Sequence, residues 1–99
     1  MATQPLDIEY LIEKDLKKLS ELPAVRSVHL LPTERAFAVW IGIHADNRKV
    51  RNAIYHFEDE ISARYANVLF DFHVIPVPHG RTMEDFVTNA HTVFQRSIA

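Results

Sequence analysis

Ninety-nine residues, 47% hydrophobic and 24% charged, make one ordinary globular domain spanning 1–99, with apolar material for a single core. The absence of cysteine excludes a disulfide framework, a thiolate zinc site and a cysteine nucleophile, and fits a reducing compartment. Eleven basic against thirteen acidic residues leave a net charge of −2, without the broad basic footprint of a nucleic-acid or anionic-membrane binder.

The first residues, Met-Ala-Thr-Gln-Pro-Leu-Asp, hold no basic stretch followed by an apolar run, so no secretory signal is expected. The longest apolar run, 36–43, is far short of the roughly 20 residues that span a bilayer. Together these predict a soluble, cytoplasmic chain.

Ile8, Leu11, Ile12, Leu16 and Leu19 recur at helical spacing, which predicts a helix over 6–22, opened by Pro5 and stopped by Pro23. Two strands follow, 25–31 and 36–44, joined by Pro32-Thr-Glu-Arg35, a length that suits a hairpin. In the second strand Phe37, Val39, Ile41 and Ile43 form an apolar face, and Ala36, Ala38, Trp40, Gly42 and His44 lie opposite. Asp46 or Asn47 caps a second helix running to about Tyr65, with Val50, Ala53, Ile54, Phe57 and Ile61 inward and His56, Glu58, Asp59 and Ser62 outward. Residues 68–77 read as a third strand, Val68, Phe70, Phe72 and Val74 on one face and Leu69, Asp71, His73 and Ile75 on the other, with Pro76 and Pro78 ending its pairing. Thr82 and Asp85 then predict the start of a last helix whose stripe is Met83, Phe86, Val87, Ala90, Val93 and Phe94.

The order helix–strand–strand–helix–strand–helix predicts an α+β two-layer sandwich, αββαβα, with a mixed three-stranded sheet packed by helices. A ferredoxin-like domain without its first strand has the same order.

If the apolar strand faces meet the helices, the reverse face collects Trp40, His44, Asp71, His73 and Ile75, joined by Ser27 and His29 if the register allows. Trp40 and Ile75 make a fully solvated face unattractive. Three coverings are open: the last helix of the same chain, a second copy packed around Trp40, or a ligand or metal. The second predicts a non-enzymatic, homodimeric interaction module. The third predicts a metal- or small-ligand-binding protein, possibly an enzyme. There Asp71 and His73, two apart on one strand, would be joined by His29 or His44 around zinc or another divalent ion. Six histidines also predict that association or solubility changes between roughly pH 5 and 7.

Two further features carry weaker chemistry. The loop 76–81, with His79 and Arg81, offers donors for a phosphate or serves simply as a turn at Gly80. Arg48, Lys49 and Arg51 place positive charge at the start of the second helix, against its dipole, which suits an acidic partner or a solvated end. No P-loop, dinucleotide fingerprint or G-x-S-x-G elbow occurs in the chain.

On Val25-Arg-Ser-Val-His-Leu-Leu31 and Leu69-Phe-Asp-Phe-His-Val-Ile75, the chain resembles the minimal nucleotidyltransferase family. The resemblance makes Asp71 the counterpart of that family's third carboxylate. Leu31-Pro-Thr-Glu34 stands where the family has a Gly-Ser turn, and Phe37-Ala-Val-Trp-Ile-Gly-Ile43 stands where it has paired aspartates. The resemblance therefore implies a related fold without two-metal phosphoryl transfer, since one aspartate cannot clamp both ions.

Overall fold

Alternating apolar residues build the centre of a four-stranded mixed sheet of order β3-β2-β1-β4 in the computed structural model, which describes residues 5–78, 80–81, 83, 87 and 89–96. The elements in chain order are α1 (Pro5–Leu16) with a 3-10 segment (Lys17–Glu21), β1 (Val25–Pro32), β2 (Phe37–Ile43), α2 (Arg48–Arg64), β3 (Phe70–Pro76) and β4 (His91–Gln95). β1 runs antiparallel to β2 and β4, and β2 runs parallel to β3 through the α2 crossover. Among the described residues, no helix is long and apolar enough to cross a membrane.

The β1–β2 hairpin has no Asn-Gly turn; Thr33 closes it. The Thr33 backbone N–H donates to the Ala36 carbonyl (2.8 Å), and its hydroxyl exchanges bonds with the Ala36 carbonyl and amide (2.8 and 3.1 Å). Asn47 caps α2 by accepting from the Val50 amide at 3.0 Å. Asp46 instead grips Arg51 through two bonds, 2.7 and 3.1 Å, which neutralises part of the positive charge at that helix start.

The core lies between the helices and one sheet face. Ile12, Leu16 and Leu19 meet Val25, Val28, Leu30, Val39, Ile41 and Ile43, and α2 adds Ile54 and Ile61. A bulge at Arg26 lets both Val25 and Val28 reach this core while Ser27 points away. Half-buried in a notch between the helices, Asp15 accepts from the Tyr65 hydroxyl at 2.6 Å and pairs with Arg64 at 2.8 Å and Lys18 at 3.7 Å. Burial alone would raise the Asp15 pKa, but the bonds from Tyr65 and Arg64 and the nearby positive charges outweigh it and hold it below the ordinary carboxylate range. Burial and the bond to Asp15 push Tyr65 up to about 12.

Three expectations need correction. The sheet has four strands, because residues 91–95, expected as the end of a helix, pair with β1 instead. Asn89 sits at φ 63°, a left-handed conformation through which no right-handed helix continues, and His-Thr-Val-Phe-Gln then suits a pleated strand. Thr82, Asp85 and Phe86, the proposed cap and part of the stripe, lie outside the described residues, as does His79. Secondly, the 6–22 helix changes to 3-10 geometry at Lys17, and Ile8 and Leu11 of its stripe are exposed. Thirdly, Pro76 does not end the pairing of β3. It remains partnered with Ile43, and the Val77 amide donates to the Ile43 carbonyl at 2.9 Å.

The reason lies in the parity of a parallel ladder. The Leu69 carbonyl accepts from Phe37 and the Val77 amide donates to Ile43, so odd-numbered residues of β3 turn their backbone groups toward β2. Even-numbered residues turn theirs outward, and the missing N–H of Pro76 falls on the outer edge, where no ladder bond is lost.

β4 is fastened by Arg96. Its guanidinium donates to the carbonyls of Ser20 (2.5 Å), Pro23 (2.9 Å) and Val25 (3.2 Å) and lies over the Phe94 ring. Sequence reading gave this residue no role.

Candidate functional site

The face of the sheet away from the core is built in rows that cross the strands. The register aligns Leu31–Ala38–Asp71, then His29–Trp40–His73, then Ser27–Gly42–Ile75. The alternation that buries Phe37 and Phe72 toward the helices therefore delivers Trp40, Asp71, His73 and Ile75 together on the reverse side, as expected.

The two flanks of this face differ. On the β1 flank Ser27 and His29 are 3% and 4% exposed, and the His29 Nδ1 lies 3.2 Å from the Thr92 hydroxyl of β4. Met83, itself 3% exposed, covers this flank. Its Cγ lies 2.8 Å from where a Cβ on Gly42 would stand, and the Ser27 hydroxyl lies 2.9 Å from the same point. Glycine at position 42 is what makes room for that close approach. The chain's own later segment thus covers the β1 flank, as in the first of the three expected coverings, although Thr92 reaches it from a strand and not from a last helix.

On the β3 flank the side chains stay accessible. The Trp40 and His73 rings stack at 4.0 Å with 14° between their planes, and His73 Nε2 donates to Asp71 Oδ2 at 2.9 Å. The imidazole is thus held between an indole face and a carboxylate. The Asp71 side chain is 63% exposed and that of His73 35%, while Ile75 is half-buried. The indole N–H of Trp40 is buried with no acceptor among the described residues, a cost of about 1–3 kcal/mol that the packing around the ring must offset.

The four residues expected at a metal do not converge. Asp71 and His73 touch, but His29 stands two strands from His73, about 10 Å by strand spacing, with Trp40 between them. His44 lies beyond the end of β2, where its Nε2 donates to the Pro23 carbonyl at 2.9 Å. It is therefore absent both from a metal set and from the Trp40 contact surface. Among the described residues, no group of three His, Asp or Glu side chains is placed to hold a metal ion. The strand neighbour of Asp71 is Ala38, so no second carboxylate faces it from β2.

β3 is also an outer strand, and the backbone groups of Phe70, Phe72 and Val74 point out along an edge that no strand pairs with among the described residues. Its Phe70, Phe72, Val74 and Ile75 are only half-buried. An apolar edge of this kind is a template for pairing with another strand.

Sequence reading missed one titratable group on α2. Glu58, expected outward, is half-buried, and its Oε2 is enclosed without a partner among the described residues. Burial, reinforced by the neighbouring Asp59 charge, pushes its pKa up to about 7. The signal was present in the spacing: Glu58 stands four residues after Ile54 and three before Ile61, both buried. It lies on the flank of α2 turned from the α1 region. On the other flank, α2 and the α1 region leave an open cleft of about 380 Å³ floored by Leu19, Leu22, Ala53 and Phe57 and edged by Lys18 and Arg64.

The stacked Trp40–His73 pair with Asp71 lies beside a strand edge that is unpaired among the described residues. No family model, curated protein or solved structure matches this chain.

Proposed function

We propose that this chain is a small interaction module, not an enzyme, that self-associates through the β3 flank of its second sheet face. His73, Asp71 and Ile75 form the contact, with Trp40 stacked behind His73. The observation that carries this reading is the 4.0 Å Trp40–His73 stack, pinned by Asp71 and left accessible beside an apolar edge unpaired among the described residues. Large aromatic side chains of low conformational freedom are favoured anchors at interfaces, and exposed edges in native proteins are usually protected or paired. The alternative, a metal- or ligand-binding protein, has only the Asp71–His73 pair behind it, and two ligands do not complete a zinc site.

The test is the mass of the chain in solution by light scattering over a range of concentrations. The wild type is expected as a dimer, and Trp40→Ala is expected to weaken association roughly tenfold or more, the loss of about 1.4 kcal/mol or more. A wild type that stays monomeric up to millimolar concentration defeats the proposal.

A further inference from the structure

The free edge of β3 specifies how two copies meet. The outward-pointing backbone groups belong to Phe70, Phe72 and Val74, so an added antiparallel strand must place its own outward-pointing residues opposite them. For a second β3 related by two-fold symmetry, this leaves axes at residue 71, 72 or 73.

An axis at residue 71 sets Asp71 against Asp71, and like charges directly opposite are destabilising. An axis at 73 sets His73 against His73. It also places Pro76, which has no N–H, in a hydrogen-bonding position opposite Phe70. An axis at 72 has neither fault. It pairs Phe72 with Phe72 and Phe70 with Val74 across the hydrogen-bonded positions, on the side that packs under the helices. On the reverse side it sets Asp71 of each copy opposite His73 of the other.

We infer that two copies of this chain join edge to edge along antiparallel β3 strands with the two-fold axis at Phe72, making one continuous sheet. This rests on the self-association proposed above and names its geometry. The Asp71–His73 bond within one chain becomes part of a group of four alternating carboxylates and imidazoles. Trp40 serves as a positioning residue: its stacked indole fixes the His73 ring that faces the other copy. Each hydrogen-bonded pair exchanges two backbone bonds, satisfying groups that the single chain leaves to water.

The chain has no cysteine, so introduced thiols report the register directly. In this arrangement positions 71 and 73 of opposite copies form a non-hydrogen-bonded pair with Cα atoms about 4.5 Å apart, inside the range a disulfide spans. Two copies of position 71 lie diagonally, beyond about 7 Å. Asp71→Cys and His73→Cys chains are mixed and mildly oxidised. The mixed pair also keeps one intact Asp71–His73 contact across the two copies.

The expected result is a mixed disulfide exceeding either like-with-like disulfide at least roughly tenfold. Dominant cross-linking of position 71 to itself, or of 73 to itself, moves the axis and overturns the inference. So does a wild-type dimer whose mixed variants fail to cross-link, a result that leaves self-association standing. A monomeric wild type overturns both.

Discussion

The β1 and β3 flanks of one sheet face obey the same alternation and meet opposite fates. On the β1 flank, Ser27 and His29 are buried, with Met83 pressed onto Gly42 and Thr92 beside the imidazole. On the β3 flank, Trp40, His73 and Asp71 remain within reach of solvent beside an edge that no described strand covers. Strand periodicity decides which side chains share a face; the path of the rest of the chain decides which part of that face becomes interior. A polar residue on the first flank is therefore structural, and the same kind of residue on the second is available for contact.

The largest expected difference comes from removing the seal. Met83→Ala should cost about 2–5 kcal/mol of stability in chemical denaturation, since a fully packed side chain is lost over Gly42. A loss below about 0.5 kcal/mol would show that Met83 merely rests on the surface, where substitutions are nearly neutral. Gly42→Ala attacks the same contact from beneath. Its new methyl would meet Met83 Cγ and the Ser27 hydroxyl below 3 Å, so a loss of about 1–3 kcal/mol is expected.

The smallest effect belongs to α2, on the core side of the sheet, and depends on pH. Glu58 ionises near 7 in the folded chain against 4.5 ordinarily, so the folded state keeps a proton that the unfolded state releases. Its contribution to stability is fully present below about pH 4.5 and declines as pH rises through about 7. Glu58→Gln should remove that decline, raising stability at pH 8 by about 1 kcal/mol while changing little at pH 4. Thermal melts of both proteins at the two pH values decide it, and an unchanged gap between them would mean that Glu58 is solvated like its neighbours.

Much of this comparison was legible in advance. Alternation alone placed Phe37, Val39, Ile41 and Ile43 inward and Trp40, Asp71, His73 and Ile75 outward, because a two-residue period is local information. The cap of α2 was readable to within one residue, Asp46 or Asn47, and Asn47 holds it. What stayed hidden depends on distant pairing. Val93 and Phe94 continue the helical spacing that starts at Met83, and only the left-handed turn at Asn89 and the vacant edge of β1 make them a strand. The stack between Trp40 and His73 required the parallel register of β2 and β3, which no short window contains. The seal by Met83 depends on where the segment after β3 travels. Glu58 was misjudged for another reason: a carboxylate in a helical stripe is ordinarily taken as its polar margin, and the burial of Ile54 and Ile61 on either side had to be known first.

The fastening of Arg96 bears on how the chain comes together. Its bond to Pro23 joins residues 73 positions apart, whereas β1 and β2 need only a short turn to find one another. During synthesis the hairpin can assemble early, but one side of its leading strand stays bare until the late segment emerges and docks. Until β4 and its arginine latch dock, the nascent sheet has a sticky border on each side.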